Sequence, residues 1–140
     1  MISPLNEVKL FDIKNYVDDR GSISFIEDQE VGFPIKRVYF FDSKSKNVVR
    51  GKHAHIKLKQ LFICLSGSCT VVLKDGLGQQ KKILLKDDNR AIIIPPLLWR
   101  EITDFSVNFI FFVLASENYS KDDYIHDYDN FKVFVENLKC

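Results

Sequence analysis

Cysteine, proline, glycine, methionine and tryptophan are all scarce in this 140-residue chain, which has three Cys, four Pro, six Gly, one Met and one Trp. Three cysteines, an odd number, make no disulfide framework and fit a reducing compartment. Cys64 and Cys69 flank Ser66-Gly67-Ser68 and are read as buried or half-buried thiols that could face each other across a hairpin. Cys140, the last residue, is expected on a mobile tail. Long apolar runs are also missing. The longest, Ala91–Pro96 and Phe109–Ala115, are strand-sized and far short of the roughly 20 residues a membrane helix needs. Neither sign of charge dominates. Twenty basic against nineteen acidic residues leave a net charge of +1, which argues against nucleic-acid binding through bulk charge but allows a local basic pocket. The opening MISPLNEVKLFDIK has charges where a signal peptide needs its apolar core, so a cytoplasmic protein is expected.

Apolar residues are abundant. They make up 46% of the chain and include twelve Phe and five Tyr, enough for a folded core and incompatible with intrinsic disorder. The length fits one domain, residues 1–140. Short strands are expected at Ser22–Glu27, Ile35–Phe41, Lys59–Leu65, Cys69–Leu73, Gln80–Leu85, Ala91–Ile94, Arg100–Asp104 and Asn108–Ala115. Ser66-Gly67-Ser68 reads as a hairpin turn and Asp75-Gly76-Leu77-Gly78 as a second turn, and Pro95-Pro96 stops a strand. Only Tyr124–Leu138 has helical spacing. This order predicts an all-β sandwich or barrel with one C-terminal helix. Leu61–Leu65 and Asn108–Leu114 are apolar on both faces, so the helix or a second subunit must cover one of them, and a homodimer is expected.

Two of the three histidines stand at i, i+2 in His53-Ala54-His55, which on a strand places both imidazoles on one face. An exposed polar strand face is the plain alternative; a metal site or an acid–base site is the chemical one. His53-x-His55, four residues, Gln60, six residues and Gly67 resemble the first motif of the cupin superfamily. Pro95-Pro96-Leu97-Leu98-Trp99-Arg100 is similar to the second, usually Pro-x-Gly-x-x-His. The resemblance implies a cupin jelly roll. It also implies a metal set of three His and one Glu, from which this chain departs: Gln60 stands at the Glu position and Arg100 at the third His position. An amide is a weak ligand, and a guanidinium repels a cation. No metal and no other cofactor are therefore expected, and His53 and His55 read as acid–base groups titrating near neutrality.

A narrower resemblance covers nearly the whole chain. Lys36-Arg37-Val38-Tyr39-Phe40, Arg50-Gly51-Lys52-His53-Ala54-His55, Leu58-Lys59-Gln60 and Leu65–Cys69 resemble the nucleotide-sugar 3,4-ketoisomerases. Asp123–Phe131 is similar to that family's closing motif, and Asp19-Arg20-Gly21-Ser22 to a motif shared with deoxysugar 3,5-epimerases. Arg100 stands where the family often has His, and His126 where it often has Arg. The resemblance implies a homodimeric cupin acting on dTDP-4-keto-6-deoxyglucose. Its product would feed an aminotransferase making 3-amino-3,6-dideoxyhexoses for bacterial surface polysaccharides such as O-antigen.

A 3,4-keto shift is a tautomerisation through an enediolate, and the residues suit it. His55 is assigned as the main base, His53 as a shuttle or orienting group and Tyr39 as a proton donor, the alternative for Tyr39 being a core or rim tyrosine. Arg50 or Arg100 would stabilise the enediolate. Arg20, Arg37, Arg50 and Lys52 are candidates for the pyrophosphate, each with solvated surface charge as its alternative. Gln60, Arg100 and Trp99 complete the candidate substrate contacts, Trp99 or a Tyr by stacking on thymine. Two other activities remain open, a 3,5-epimerase and a non-catalytic nucleotide-sugar-binding cupin.

Overall fold

A computed structural model describes residues 3–45 and 47–139; Cys140 lies outside them. The strands are β1 (Lys9–Asp12), β2 (Lys14–Asp18), β3 (Gly21–Phe25), β4 (Arg37–Asp42), β5 (Arg50–His55), β6 (Gln60–Ser66), β7 (Ser68–Lys74), β8 (Gln80–Lys86), β9 (Arg90–Ile94), β10 (Trp99–Thr103), β11 (Ile110–Ala115) and β12 (Tyr124–Ile125). The helices are a one-turn α1 (Asp28–Val31) and the C-terminal α2 (Tyr128–Asn137). Two five-stranded antiparallel sheets, ordered β1-β9-β6-β11-β4 and β12-β5-β10-β7-β8, face each other as a jelly-roll sandwich, and β2-β3 form a separate hairpin.

Alternation builds the core. On β4, residues 37, 39 and 41 point between the sheets and 38, 40 and 42 point out. Phe62 and Cys64 from β6, Cys69, Val71 and Leu73 from β7, Ile92 and Ile94 from β9, and Phe111 and Val113 from β11 fill the space between the sheets. The outer face of the second sheet is covered by α2, whose Phe131 and Val135 pack on Ala54 and Trp99. Full burial of each such side chain contributes about 1.5–3 kcal/mol. The outer face of the first sheet is covered only in part, by Ile13, Val31 and Phe33 packed on Leu61, Ile63 and Leu114.

Two expectations are corrected. Ser66-Gly67-Ser68 is not a hairpin turn. The strand before it, β6, pairs with β9 and β11, and the strand after it, β7, pairs with β8 and β10. Gly67, at φ 79°, carries the chain from one sheet to the other. An added Cβ would overlap Ser106 Oγ, which accepts from Ser68 N, so the corner has no room for a side chain. Phe62 and Cys64 of β6 meet Cys69, Val71 and Leu73 of β7 across the core between the two sheets. Cys64 and Cys69 are buried free thiols in that core. Second, the helix does not begin at Tyr124. Tyr124 and Ile125 pair with β5, and the helix starts after Asp127, whose carboxylate caps Asn130 N at 2.9 Å. The turn after β7 forms as expected, closed by Asp75, which accepts from Leu77 N and Gln79 N.

Candidate active site

At one end of the sandwich the two inner faces diverge around a cavity of about 410 Å³. Arg37 and Tyr39 on β4 and Gln60 on β6 reach it from one sheet; Arg50 and His53 on β5, Arg100 on β10 and Tyr124 on β12 reach it from the other. Strand register explains the grouping. Arg100 stands opposite His53, and Tyr124 opposite His55. Between Arg100 and Ile102 the β5 partner jumps from His53 to Arg50, so β5 carries an extra residue there. Gly51, at φ 76°, permits this bulge. Plain alternation would put Arg50 on the outer face with Lys52; the bulge turns it to the cavity.

His55 is buried, and its Nδ1 lies 3.0 Å from Asp123 Oδ2. The other Asp123 oxygen accepts from Lys57 N at 2.7 Å, which fixes the carboxylate. The His55 ring packs against Tyr124 at 4.4 Å and His53 at 4.7 Å between centroids. Its Nε2 is buried without a partner. Burial, then the Arg100 charge, lowers the pKa of His55 to about 2, and the same causes lower His53 to about 2. Both imidazoles are thus biased to the neutral form, which corrects the titration near neutrality expected from the sequence. With Nδ1–H donated to Asp123, the free lone pair of His55 is on Nε2.

Arg100 is the largest fully buried side chain. It donates through Nη1 to Gln60 Oε1 and through Nη2 to Leu98 O, while its Nε is unpartnered. Burial pulls its pKa down to about 10, still charged at neutral pH. No carboxylate touches it among the described residues. A buried cation without a counter-ion is costly and marks a place prepared for a ligand anion or a developing oxyanion. Tyr39 accepts from Gln60 Nε2 at 2.9 Å, and burial raises its phenol pKa. Arg37 lies over the rings of Tyr39 and Tyr119, with its Nε buried and unpaired.

Four candidates fall outside the cavity wall: His55, buried against the lining residues His53 and Tyr124, and three others. Trp99 alternates away from Arg100, is buried under α2 against Tyr128 and Phe131, and donates Nε1–H to Glu101. It is a core residue, not a base-stacking platform. Lys52 is exposed on the outer side of β5, because the bulge moves Arg50 and not Lys52. Arg20 lies beside the β2–β3 turn, paired with Asp18 at 2.7 Å. Asp123 and Tyr124 are the residues sequence reasoning left without a role. Their signal was the closing motif, but only the pairing of β12 with β5 puts them against His55.

The depressed imidazoles bear on stability. From about pH 2 to 6.5 the unfolded chain binds protons at His53 and His55 that the folded chain does not, so stability falls as pH drops below 6.5. Each imidazole contributes about 1.4 kcal/mol per pH unit once well below that value. Thermal unfolding between pH 7.5 and 5 should show this slope, flattened in a His53→Gln/His55→Gln double variant. An equal slope in both proteins would remove the imidazoles as its source.

Residues 6–136 match the family described as FdtA, WxcM-like, C-terminal. The chain is 42% identical over 134 residues to a TDP-4-oxo-6-deoxy-alpha-D-glucose-3,4-oxoisomerase of Aneurinibacillus thermoaerophilus, covering 94% of this chain and 95% of the relative. It is similar to the crystal structure of QdtA, a sugar 3,4-ketoisomerase from Thermoanaerobacterium thermosaccharolyticum, in complex with TDP. The TM-score is 0.90 at 38% identity, over 97% of this chain and 99% of that one. A His-to-Asn variant of QdtA, in complex with TDP-4-keto-6-deoxyglucose, matches with a TM-score of 0.88 at 38% identity, over 93% and 94% of the two chains.

Proposed function

The chain belongs to the FdtA (WxcM-like, C-terminal) family, and from that premise we propose that it is a 3,4-ketoisomerase moving the keto group of TDP-4-keto-6-deoxyglucose from C4 to C3. The observation that carries the reading is a buried arginine, with no carboxylate in contact among the described residues, on the wall of a cavity whose lining residues His53 and Tyr124 pack against the His55–Asp123 dyad. His55 Nε2 takes the proton from C3, which the neighbouring carbonyl acidifies. The enediolate charge that develops lies against the Arg100 guanidinium, with Tyr39 O–H as donor. The proton returns at C4, and His53 carries the hydroxyl proton between the two oxygens. The balance is one hydrogen from C3 to C4 and one proton from O3 to O4, so no redox partner is consumed. Arg37 and Arg50 bind the diphosphate. Both line the cavity, and Arg37 has a donor to spare. The enzyme acts without a metal, because Arg100 occupies the Gln60 oxygen that a cation would need.

The test is the NMR spectrum of the product formed from TDP-4-keto-6-deoxyglucose in deuterium oxide, with and without a chelator. A carbonyl at C3, formed equally in EDTA, is expected. The His55–Asp123 pair is also the arrangement a 3,5-epimerase uses, so exchange at C3 and C5 with the carbonyl still at C4 would favour that activity instead. A rate lost in EDTA and restored by one divalent ion would overturn the metal-free assignment.

The same reading makes the enzyme a cytoplasmic homodimer that supplies surface-polysaccharide precursors. The two buried free thiols support a reducing compartment, and no helix among the described residues is long and apolar enough to cross a membrane. The dimer reading is supported by the bare part of the first sheet, where Val38, Phe40, Leu65 and Ile110 are 41–72% exposed. A self-complementary pair buries this patch on both copies. Sedimentation equilibrium should give a dimer for the parent chain and a monomer for Phe40→Asp. A monomeric parent would rule the pairing out.

A further inference from the structure

Gln60 stands between the two groups that meet the sugar oxygens in the proposed reaction. It is 1% exposed, and both ends of its amide are engaged. The direction of each hydrogen bond is forced. Arg100 has donors only, so the atom it meets is the Gln60 carbonyl oxygen. The amide nitrogen can only donate, so at 2.9 Å the Tyr39 oxygen accepts. A flipped amide would set NH2 against the guanidinium and leave Arg100 Nη1 without an acceptor. With its oxygen engaged by the amide, Tyr39 keeps its own proton free. That proton has no acceptor among the described residues, and the side chain lines the cavity.

We propose that Gln60 is a positioning residue, not a substrate contact: it transmits a fixed donor direction from Arg100 to Tyr39 and so holds the Tyr39 hydroxyl as a donor towards the bound sugar. This rests on the ketoisomerase reading above. A free phenol donates or accepts according to its surroundings, whereas a phenol whose oxygen is capped by an amide, itself capped by a guanidinium, is biased one way. Each bond in such a chain polarises the next. The arrangement suits a reaction in which charge builds on a sugar oxygen, because Tyr39 then meets it with a proton and no reorganisation is needed.

Gln60→Glu tests the direction with almost no change of shape. One carboxylate oxygen keeps Arg100 and the other accepts from Tyr39 O–H, turning the proton away from the cavity. The expected result is a fall in kcat of about 10²-fold with KM changed less than about threefold. Tyr39→Phe, costly in the parent, should then add less than about threefold in the Gln60→Glu background, because the donor is already lost. If Gln60→Glu does not fold, Gln60→Met, close in volume, removes both contacts: kcat should fall with KM little changed, and a parent-like kcat overturns the relay. A measurement without substrate separates this proposal from the functional reading. In protein labelled with ¹³C at tyrosine Cζ, the Tyr39 phenol should titrate at higher pH in Gln60→Glu than in the parent. The carboxylate disfavours the phenolate, while Arg100, Arg37 and Tyr124, the other groups acting on it, are unchanged. An unmoved titration, or an equal cost of Tyr39→Phe in both backgrounds, overturns the relay. A parent chain with no turnover sinks the ketoisomerase reading alone, and the titration still decides the relay.

Discussion

His55→Asn should lose turnover by about 10²–10⁴-fold, the usual worth of a general acid–base group, while still binding the nucleotide sugar. The expectation rests on the state of the imidazole. Burial and the Arg100 charge keep His55 neutral, and Asp123 takes the Nδ1 proton, so the unpartnered Nε2 is the basic atom. Asparagine can keep the contact with Asp123 but has no basic nitrogen. Binding is expected to persist because the arginines proposed to hold the diphosphate, Arg37 and Arg50, line the cavity, whereas His55 sits behind that lining against His53 and Tyr124. His53→Asn should cost less, because His53 lacks the Asp123 contact and moves a proton between oxygens that water can also serve. Asp123→Asn should behave like a weakened His55→Asn, because an amide can also donate to Nδ1 and so favour the wrong tautomer. Single-turnover rates and calorimetric binding, measured on all three variants, check the order. Near-full turnover in His55→Asn would move the base to His53 or Tyr39.

Arg100→Met should separate activity from stability. Turnover is expected to fall about 10²–10³-fold, the range found on removing a group that stabilises a developing oxyanion. The midpoint of thermal unfolding is expected not to fall. Arg100 is 1% exposed and has no carboxylate in contact, so the folded state carries its desolvation without a compensating ion pair. Methionine fills much of the same volume with no charge to desolvate. What it loses is the contacts to Gln60 and Leu98 O, each worth about 1.5–3 kcal/mol as hydrogen bonds to a charged group but set against that desolvation. A residue held at the expense of stability is the mark of a functional site. If Arg100→Met unfolded well below the parent and kept its turnover, Arg100 would be structural and the oxyanion role would pass to Arg50.

The strands were legible because their residues obey a period of two and are β-branched or aromatic. The observed bounds of β4, β6, β7, β8 and β9 differ from the expected ones by two residues or fewer. Strands with weak patterns escaped: β1 and β2 have mostly exposed side chains, and β12 is two residues long. The gap at Ser66-Gly67-Ser68 was recognised, but its meaning was not. A tight turn containing Gly serves a hairpin or a crossing between sheets equally well, and long-range pairing with β9, β11, β8 and β10 decides between them. The twin histidines, Tyr39, Gln60 and Arg100 were identified as one constellation, from motif spacing and resemblance. Trp99 and Lys52 were misplaced, because adjacency in sequence to Arg100 and His53 means the opposite face of a strand.

The amino-acid sequence by itself determined the class of fold, the C-terminal helix, the two imidazoles on one face and the departures from a metal-binding set. All of these depend on residue type and on spacings of a few residues, which local backbone geometry converts directly into direction. Only the tertiary structure decided which side chains share the cavity. Arg50 joins it through a one-residue bulge, and Asp123 reaches His55 across 68 positions of chain. Tyr39, Gln60 and Arg100 come from three strands in two sheets. The charge of Arg100, the neutrality of His53 and His55 and the direction of the Tyr39 proton follow from burial and from what each polar atom touches. Those properties belong to the packed molecule, because water would otherwise solvate every one of these groups alike.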